Sequence, residues 1–215
     1  MAKKPSTLIN MVVALLVITA VSGGLLGLVY GMTKDAIAEV DLKKNQAAIE
    51  AVLKTDTPID RIEETVVDEL PCNLAYDAQG NLIGAAIKTY SNSGFNGRIE
   101  LMVGLLTDGT INAVSVLSQS ETPGLGANMV NPKFKDQFNG KNPASYNLSV
   151  TKDGGDVDAI TAATISSRAF TGAVKLACDS FEANKSQFIY GAAPAVETPI
   201  AEDNTETTEG GQDNE

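Results

Sequence analysis

Hydrophobic and polar positions divide the chain into stretches of different period. Residues 5–33 carry no charge and consist mainly of Leu, Val, Ile, Ala and Gly. A helix of about 20 such residues crosses the hydrocarbon core of a bilayer. Leader peptides have apolar runs of only about 7–15 residues. Here apolar sequence continues past the small residues Ala20-Val21-Ser22 to Tyr30, so an uncleaved anchor is preferred to a cleaved signal. From 33 to 54, Ile37, Val40, Ala47, Ala48, Val52 and Leu53 keep helical spacing until Thr55-Asp56-Thr57-Pro58 stops it. From about Glu64 the period becomes that of strands. Segments 74–76 and 82–90 flank a turn, and segments 99–106 and 111–117 flank Asp108-Gly109, a hairpin signal. A short helix is expected after Pro132, with Phe134 and Phe138 on one side. A longer one is expected over about 166–182, where Ala169, Phe170, Ala173, Val174, Ala177 and Phe181 trace one stripe suited to a sheet.

These elements predict an α+β fold: a single N-terminal transmembrane helix followed by an antiparallel sheet packed with helices. The expected divisions are 1–33 for an N-terminal stub and membrane helix, 34–58 for a stalk helix, 59–190 for one globular domain, and 191–215 for a tail. The tail carries Glu197, Glu202, Asp203, Glu206, Glu209, Asp213 and Glu215 with no Lys or Arg, and it is read as a disordered, solvating appendage. Lys3 and Lys4 favour a cytoplasmic N-terminus, but Lys34, Lys43 and Lys44 on the other side make that preference weak. Within the anchor, Gly23, Gly27 and Gly31 recur every four residues with Thr19 on the same face, a stripe where another membrane helix can approach closely.

Composition narrows the chemistry. With 16 Lys+Arg against 27 Asp+Glu the net charge is −11, unsuited to nucleic acid. The chain has no His, which excludes Ser–His–Asp and Cys–His nucleophile systems and imidazole zinc sites. Its two cysteines, Cys72 and Cys178, are too few for an iron–sulfur cluster. They form either a disulfide or a pair of core thiols. Chemistry must come from a cofactor or a partner.

Two segments are candidates for binding that cofactor. Ser120-Glu121-Thr122-Pro123-Gly124-Leu125-Gly126 follows a strand, and its glycines permit positive φ and close approach to a flat ligand. Taken alone it reads better as a plain connector. Asp158-Ala159-Ile160-Thr161-Ala162-Ala163-Thr164-Ile165-Ser166-Ser167 crowds hydroxyls at a helix start, where backbone N–H groups favour a phosphate. The competing reading is ordinary capping by Ser166 or Ser167.

Taken together, in this order and spacing with Gly94-Phe95-Asn96-Gly97 and 134–141, the segments make the chain resemble the G subunit of the Rnf (Rsx) ion-translocating electron transport complex. That family is related to the C subunit of the sodium-pumping NADH:quinone reductase and shares its FMN-binding domain. The resemblance implies FMN attached through its phosphate to a threonine hydroxyl. The family pattern Asp-x-x-Ser/Thr-Gly-Ala-Thr falls on Asp158 and on Thr161-Ala162-Ala163-Thr164, with Thr164 as the ester site and Ala162 where the family has Gly. It also implies that Glu121, Thr122 and Leu125 line the isoalloxazine, beside Gly124 and Gly126, and that Lys133 is a candidate phosphate or surface contact.

The implied function is a covalent-flavin subunit that relays electrons between membrane-embedded centres, coupling ferredoxin/NAD electron transfer to ion translocation. No independent catalytic acid, base or nucleophile is expected, because a flavin supplies its own redox chemistry. The implied partners are the other membrane subunits, met partly through Gly23, Gly27 and Gly31, and a flavin transferase. The implied location is a bacterial inner membrane with a periplasmic domain. The compact length favours Rnf over the quinone reductase. Two alternatives stay open: a membrane-anchored, non-redox module for a phosphorylated ligand, and a stand-alone FMN-dependent reductase.

Overall fold

The computed structural model describes residues 8–190; the expectations for the N-terminal stub and the acidic tail lie outside them. Helix α1 spans Leu8–Val52 and is unbroken, so membrane segment and stalk form one rod. At 1.5 Å per residue, its 45 residues measure about 68 Å, roughly twice the thickness of a bilayer core. It is the one helix among the described residues long and apolar enough to cross a membrane, and none of that apolar window is buried against protein.

Five strands follow: β1 (Arg61–Val67), β2 (Leu70–Tyr76), β3 (Leu82–Gly94), β4 (Gly97–Leu106) and β5 (Ile111–Ser118). They pair antiparallel in chain order, the meander expected from the hairpin signals. The expected strand at 74–76 proves to be the end of a longer β2, preceded by a hairpin that the turn residues had hidden. Asp68 and Glu69 make the tight β1–β2 turn with φ of +47° and +66°, which glycine or asparagine usually supplies.

The pleat sends alternate residues to opposite faces. In β4, Ile99, Leu101, Val103 and Leu105 face one core, with Ala85 and Ile87 of β3 beside them; Met102 faces another, with Ala86. Helix α3 (Thr164–Tyr190) covers the first face with Phe170, Ala173, Val174, Ala177 and Phe181. A short helix α2 (Pro132–Lys135) and the turn after it bring Phe134 and Phe138 to Phe170, with ring centroids 5.1 and 5.2 Å from it. Buried Thr89 of β3 donates its hydroxyl to the Ala173 carbonyl at 2.9 Å, tying sheet to helix. Cys72 and Cys178 are free thiols in this core.

The second face is covered by the end of α1, a placement its sequence spacing had not specified. Ala48, Val52 and Leu53 pack on Ala75, Ala86, Met102 and Leu117. Gly104 makes this possible, since a Cβ there would collide with the Val52 backbone. Asn112 donates to the carbonyls of Val52 and Lys54 at 2.7 and 3.1 Å, closing the helix end that has no intrahelical donors. Lys44 also bonds the Leu117 carbonyl.

Candidate functional site

The two segments singled out in the sequence meet at one end of the sheet, around a cleft of about 310 Å³. Segment 120–126 contributes Glu121, Thr122, Leu125 and Gly126; the second contributes Ala162, Ala163 and Thr164 with the first turn of α3; the tip of the β3–β4 hairpin contributes Phe95. A volume of this order is that of a small-molecule site.

Glu121 is the knot of the assembly. Its carboxylate is buried, and it accepts the Asn96 N–H at 3.0 Å and the Ser166 hydroxyl at 2.5 Å. One side chain thus joins the hairpin, the glycine-containing loop and α3. Asn96 also donates its side-chain amide to the Thr122 hydroxyl at 3.1 Å. Gly124 has φ of +77°, as its residue type suggests. Gly126 keeps an ordinary φ; its missing side chain leaves room for Ser166 and Glu121, so here the close approach is protein against protein.

Helix α3 opens at Thr164, two residues before the expected start, and runs on to Tyr190. The Ser167 N–H bonds the Ala163 carbonyl at 3.0 Å, which begins the helix upstream of both serines. Neither is therefore the cap that the alternative reading required. Ser166 turns to Glu121, and the Ser167 hydroxyl accepts the Ile160 N–H while donating to the Ala163 carbonyl, both at 2.9 Å. Two of the four hydroxyls are thereby committed to structure. Thr161 is exposed on a neighbouring cleft of about 650 Å³ that it shares with Gly124, Asp158, Ala162 and Lys133. Gln137 pins that loop by accepting the Asp158 N–H at 2.8 Å.

Thr164 is half-buried at the head of α3, and the Lys152 ammonium donates to its Oγ1 at 3.1 Å. Lys152 lies in a single 3-10 turn, Thr151–Asp153. Arg168, one helical turn after Thr164, grips Asp153 through two bonds of 2.7 Å. That guanidinium, chiefly by hydrogen bonding, holds the Asp153 carboxyl below the usual carboxylate range. Lys152 and Phe95 were not among the sequence candidates. The first had no local signal beyond the Gly154-Gly155 turn behind it; the second stood in a quoted block, as an aromatic between two glycines at a hairpin tip.

Ala162 has φ of +61°, the left-handed region that costs a side-chain-bearing residue about 1–2 kcal/mol. The expected family glycine at this position therefore has a backbone reason. Ala162 adopts the same bend at a conformational cost.

Residues 94–179 match the family model of the FMN-binding domain. Over 182 residues the chain is 34% identical to the G subunit of the ion-translocating oxidoreductase complex of Methanosarcina acetivorans, covering 82% of this chain and 95% of that one. The chain belongs to this G-subunit family. Another relative is the G subunit of the Na(+)-translocating ferredoxin:NAD(+) oxidoreductase complex of Acetobacterium woodii, 28% identical over 184 residues, covering 78% of this chain and 88% of that one. The structure is also similar to the C subunit of the Na(+)-translocating NADH-quinone reductase from Parabacteroides distasonis, with a TM-score of 0.48 and 19% identity over 72% of this chain and 96% of that chain. The stretch matching the FMN-binding domain contains both loops, Lys152 and Thr164.

The residues present suit a flavin phosphate. The walls from Phe95, Leu125 and Ile165 are apolar and open to solvent. At Thr164 the cleft offers a hydroxyl and the N–H groups of a helix start, and the exposed Lys152 ammonium stands against that hydroxyl. A flat ring system with apolar faces and a charged phosphate suits that division.

Proposed function

We propose that this chain is the membrane-anchored flavoprotein subunit of an Rnf-type complex. It carries FMN as a phosphoester on Thr164 and relays electrons between membrane-embedded centres while the complex couples ferredoxin/NAD electron transfer to ion translocation. The observation that carries the reading is the convergence of Glu121, Thr122, Leu125 and Gly126 with Ala162, Ala163 and Thr164 on one cleft, with the Thr164 hydroxyl facing a cation at the head of α3.

When bound, FMN supplies one- or two-electron chemistry of its own. The chain's residues bind and orient it. Leu125 and Thr122 stand where the ring is expected, and Gly124 shapes the loop beneath them. Glu121 spends its carboxylate on Asn96 and Ser166, so its part is to hold hairpin, loop and helix in register. Thr161, Ala162 and Ala163 present Thr164 at the helix opening, where the first-turn N–H groups and Lys152 favour an anion. An ester keeps the cofactor in a cleft that must stay open to electron-transfer partners. A flavin transferase would install it during maturation.

In this reading the N-terminus is cytoplasmic and the folded domain stands on the periplasmic side of the inner membrane. The Gly23, Gly27 and Gly31 stripe, which nothing among the described residues covers, packs against other membrane subunits of the complex.

The test is covalent flavin in a denaturing gel, with a peptide mass across Thr164, for wild type and Thr164→Val expressed in the native host. Wild type should fluoresce and carry FMN on the Thr164 peptide; Thr164→Val should be dark. A dark wild type, or a fluorescent Thr164→Val, would overturn the assignment.

A further inference from the structure

We infer that Lys152 is the residue that recognises the flavin phosphate, giving this cleft its preference for FMN over riboflavin before any ester forms. This rests on the reading that FMN occupies the cleft beside Thr164. The contact itself is direct: Lys152 Nζ donates to Thr164 Oγ1 at 3.1 Å. An ammonium has three donors. One is used by the hydroxyl, which leaves two for an anion held at that hydroxyl.

Two features keep Lys152 available and in place. The acid next to it, Asp153, is already taken by both prongs of Arg168, and among the described residues Lys152 makes no ion pair. The same Arg168–Asp153 pair clamps the turn carrying Lys152 to α3 itself, one helical turn from Thr164. The turn is stiff on its far side too. Gly154 closes it with φ of +82°, Val150 and Val157 form a bridge across its base, and a Cβ on Gly155 would collide with the Ser149 backbone. The turn carrying Lys152 is thus tied to the head of α3 beside Thr164. Lys133, the cation suggested by the sequence, lines the neighbouring cleft with Asp158 and Thr161.

The experiment uses the full-length chain in detergent, produced in cells lacking a flavin transferase and titrated separately with FMN and riboflavin. Wild type is expected to bind FMN more tightly than riboflavin, with a preference that weakens as salt is added. Lys152→Met should lower FMN affinity about tenfold to a hundredfold, the range for a lost charged hydrogen bond, and leave riboflavin affinity unchanged. Lys152→Arg should keep most of the preference. The proposal is overturned if Lys152→Met retains the wild-type preference, or if Lys133→Met abolishes it while Lys152→Met does not. Binding of neither flavin by wild type would overturn the flavin reading along with it. Binding of both flavins without preference would overturn the role of Lys152 alone.

Discussion

On one face of the sheet, α3, α2 and the turn after α2 bury five phenylalanines, Phe134, Phe138, Phe170, Phe181 and Phe188, among Leu, Ile and Val. On the other, α1 lays Ala48, Val52 and Leu53 over Ala75, Ala86 and Met102, with Gly104 beneath Val52. The first surface is large and interlocking, the kind that supplies most of a domain's stability. The second is a smaller cluster, in which Ala48, Ala75, Ala86 and Gly104 let a helix come close. What differs is the job: one face holds the domain and its cleft together, the other fixes where the membrane helix joins it.

The largest effect should come from Phe170→Ala. Deleting a fully buried ring that touches Phe134 and Phe138 costs about 3–5 kcal/mol, enough to unfold the domain and lose flavin binding, measurable by urea titration followed by fluorescence. Next is the response to alkali. Burial pushes the Cys72 and Cys178 thiols up from 9.0 to about 12. Their native-state pKa lies above the unfolded value, so their contribution is whole below pH 9. It is lost as pH rises towards 12, because the unfolded chain sheds those protons first. Cys72→Ala/Cys178→Ala should flatten the fall in stability between pH 9 and 12; an unchanged slope would show that the thiols are not its source.

A smaller loss, about 1–3 kcal/mol, is expected of Gly104→Val, which overpacks the α1 junction. It should expose 53–60 to protease while the domain keeps its flavin affinity, the reverse of the Phe170→Ala result. Loss of flavin in step with cleavage would mean that the two faces are not separable. The smallest change is Ala162→Gly, which relieves the left-handed backbone and should stabilise by about 1 kcal/mol, with flavin attachment undiminished.

Much of this architecture was legible in the order of residues. The stripe Ala169, Phe170, Ala173, Val174, Ala177 and Phe181 announced a helix lying on a sheet, and Asp108-Gly109 announced the β4–β5 hairpin. Phe188, seven residues after Phe181, was a sign that α3 runs on, obscured by the polar residues between them. The β1–β2 hairpin was hidden because Asp68 and Glu69 do a turn's work without a turn's usual residues. Attachment of α1 to the back of the sheet depends on Gly104 and Asn112, distant in sequence from the helix they receive. The loops of the site were visible as blocks, whereas their joining through Glu121 and Ser166, 45 positions apart, is a tertiary fact. So is Lys152 beside Thr164, brought there by a turn with no periodicity to betray it.

Because α1 passes without interruption from the lipid-facing segment into a docked, closed end on the domain, the head is mounted on a mast and cannot swing on a leash. Each residue of such a mast turns the head by about 100° and lifts it by about 1.5 Å. Removing one residue between 34 and 44 should therefore point the cleft away from a fixed neighbour, while removing seven, about two full turns, should bring the bearing back at a lower height. If electron delivery follows the bearing and not the height, the shaft sets the compass heading of the cofactor.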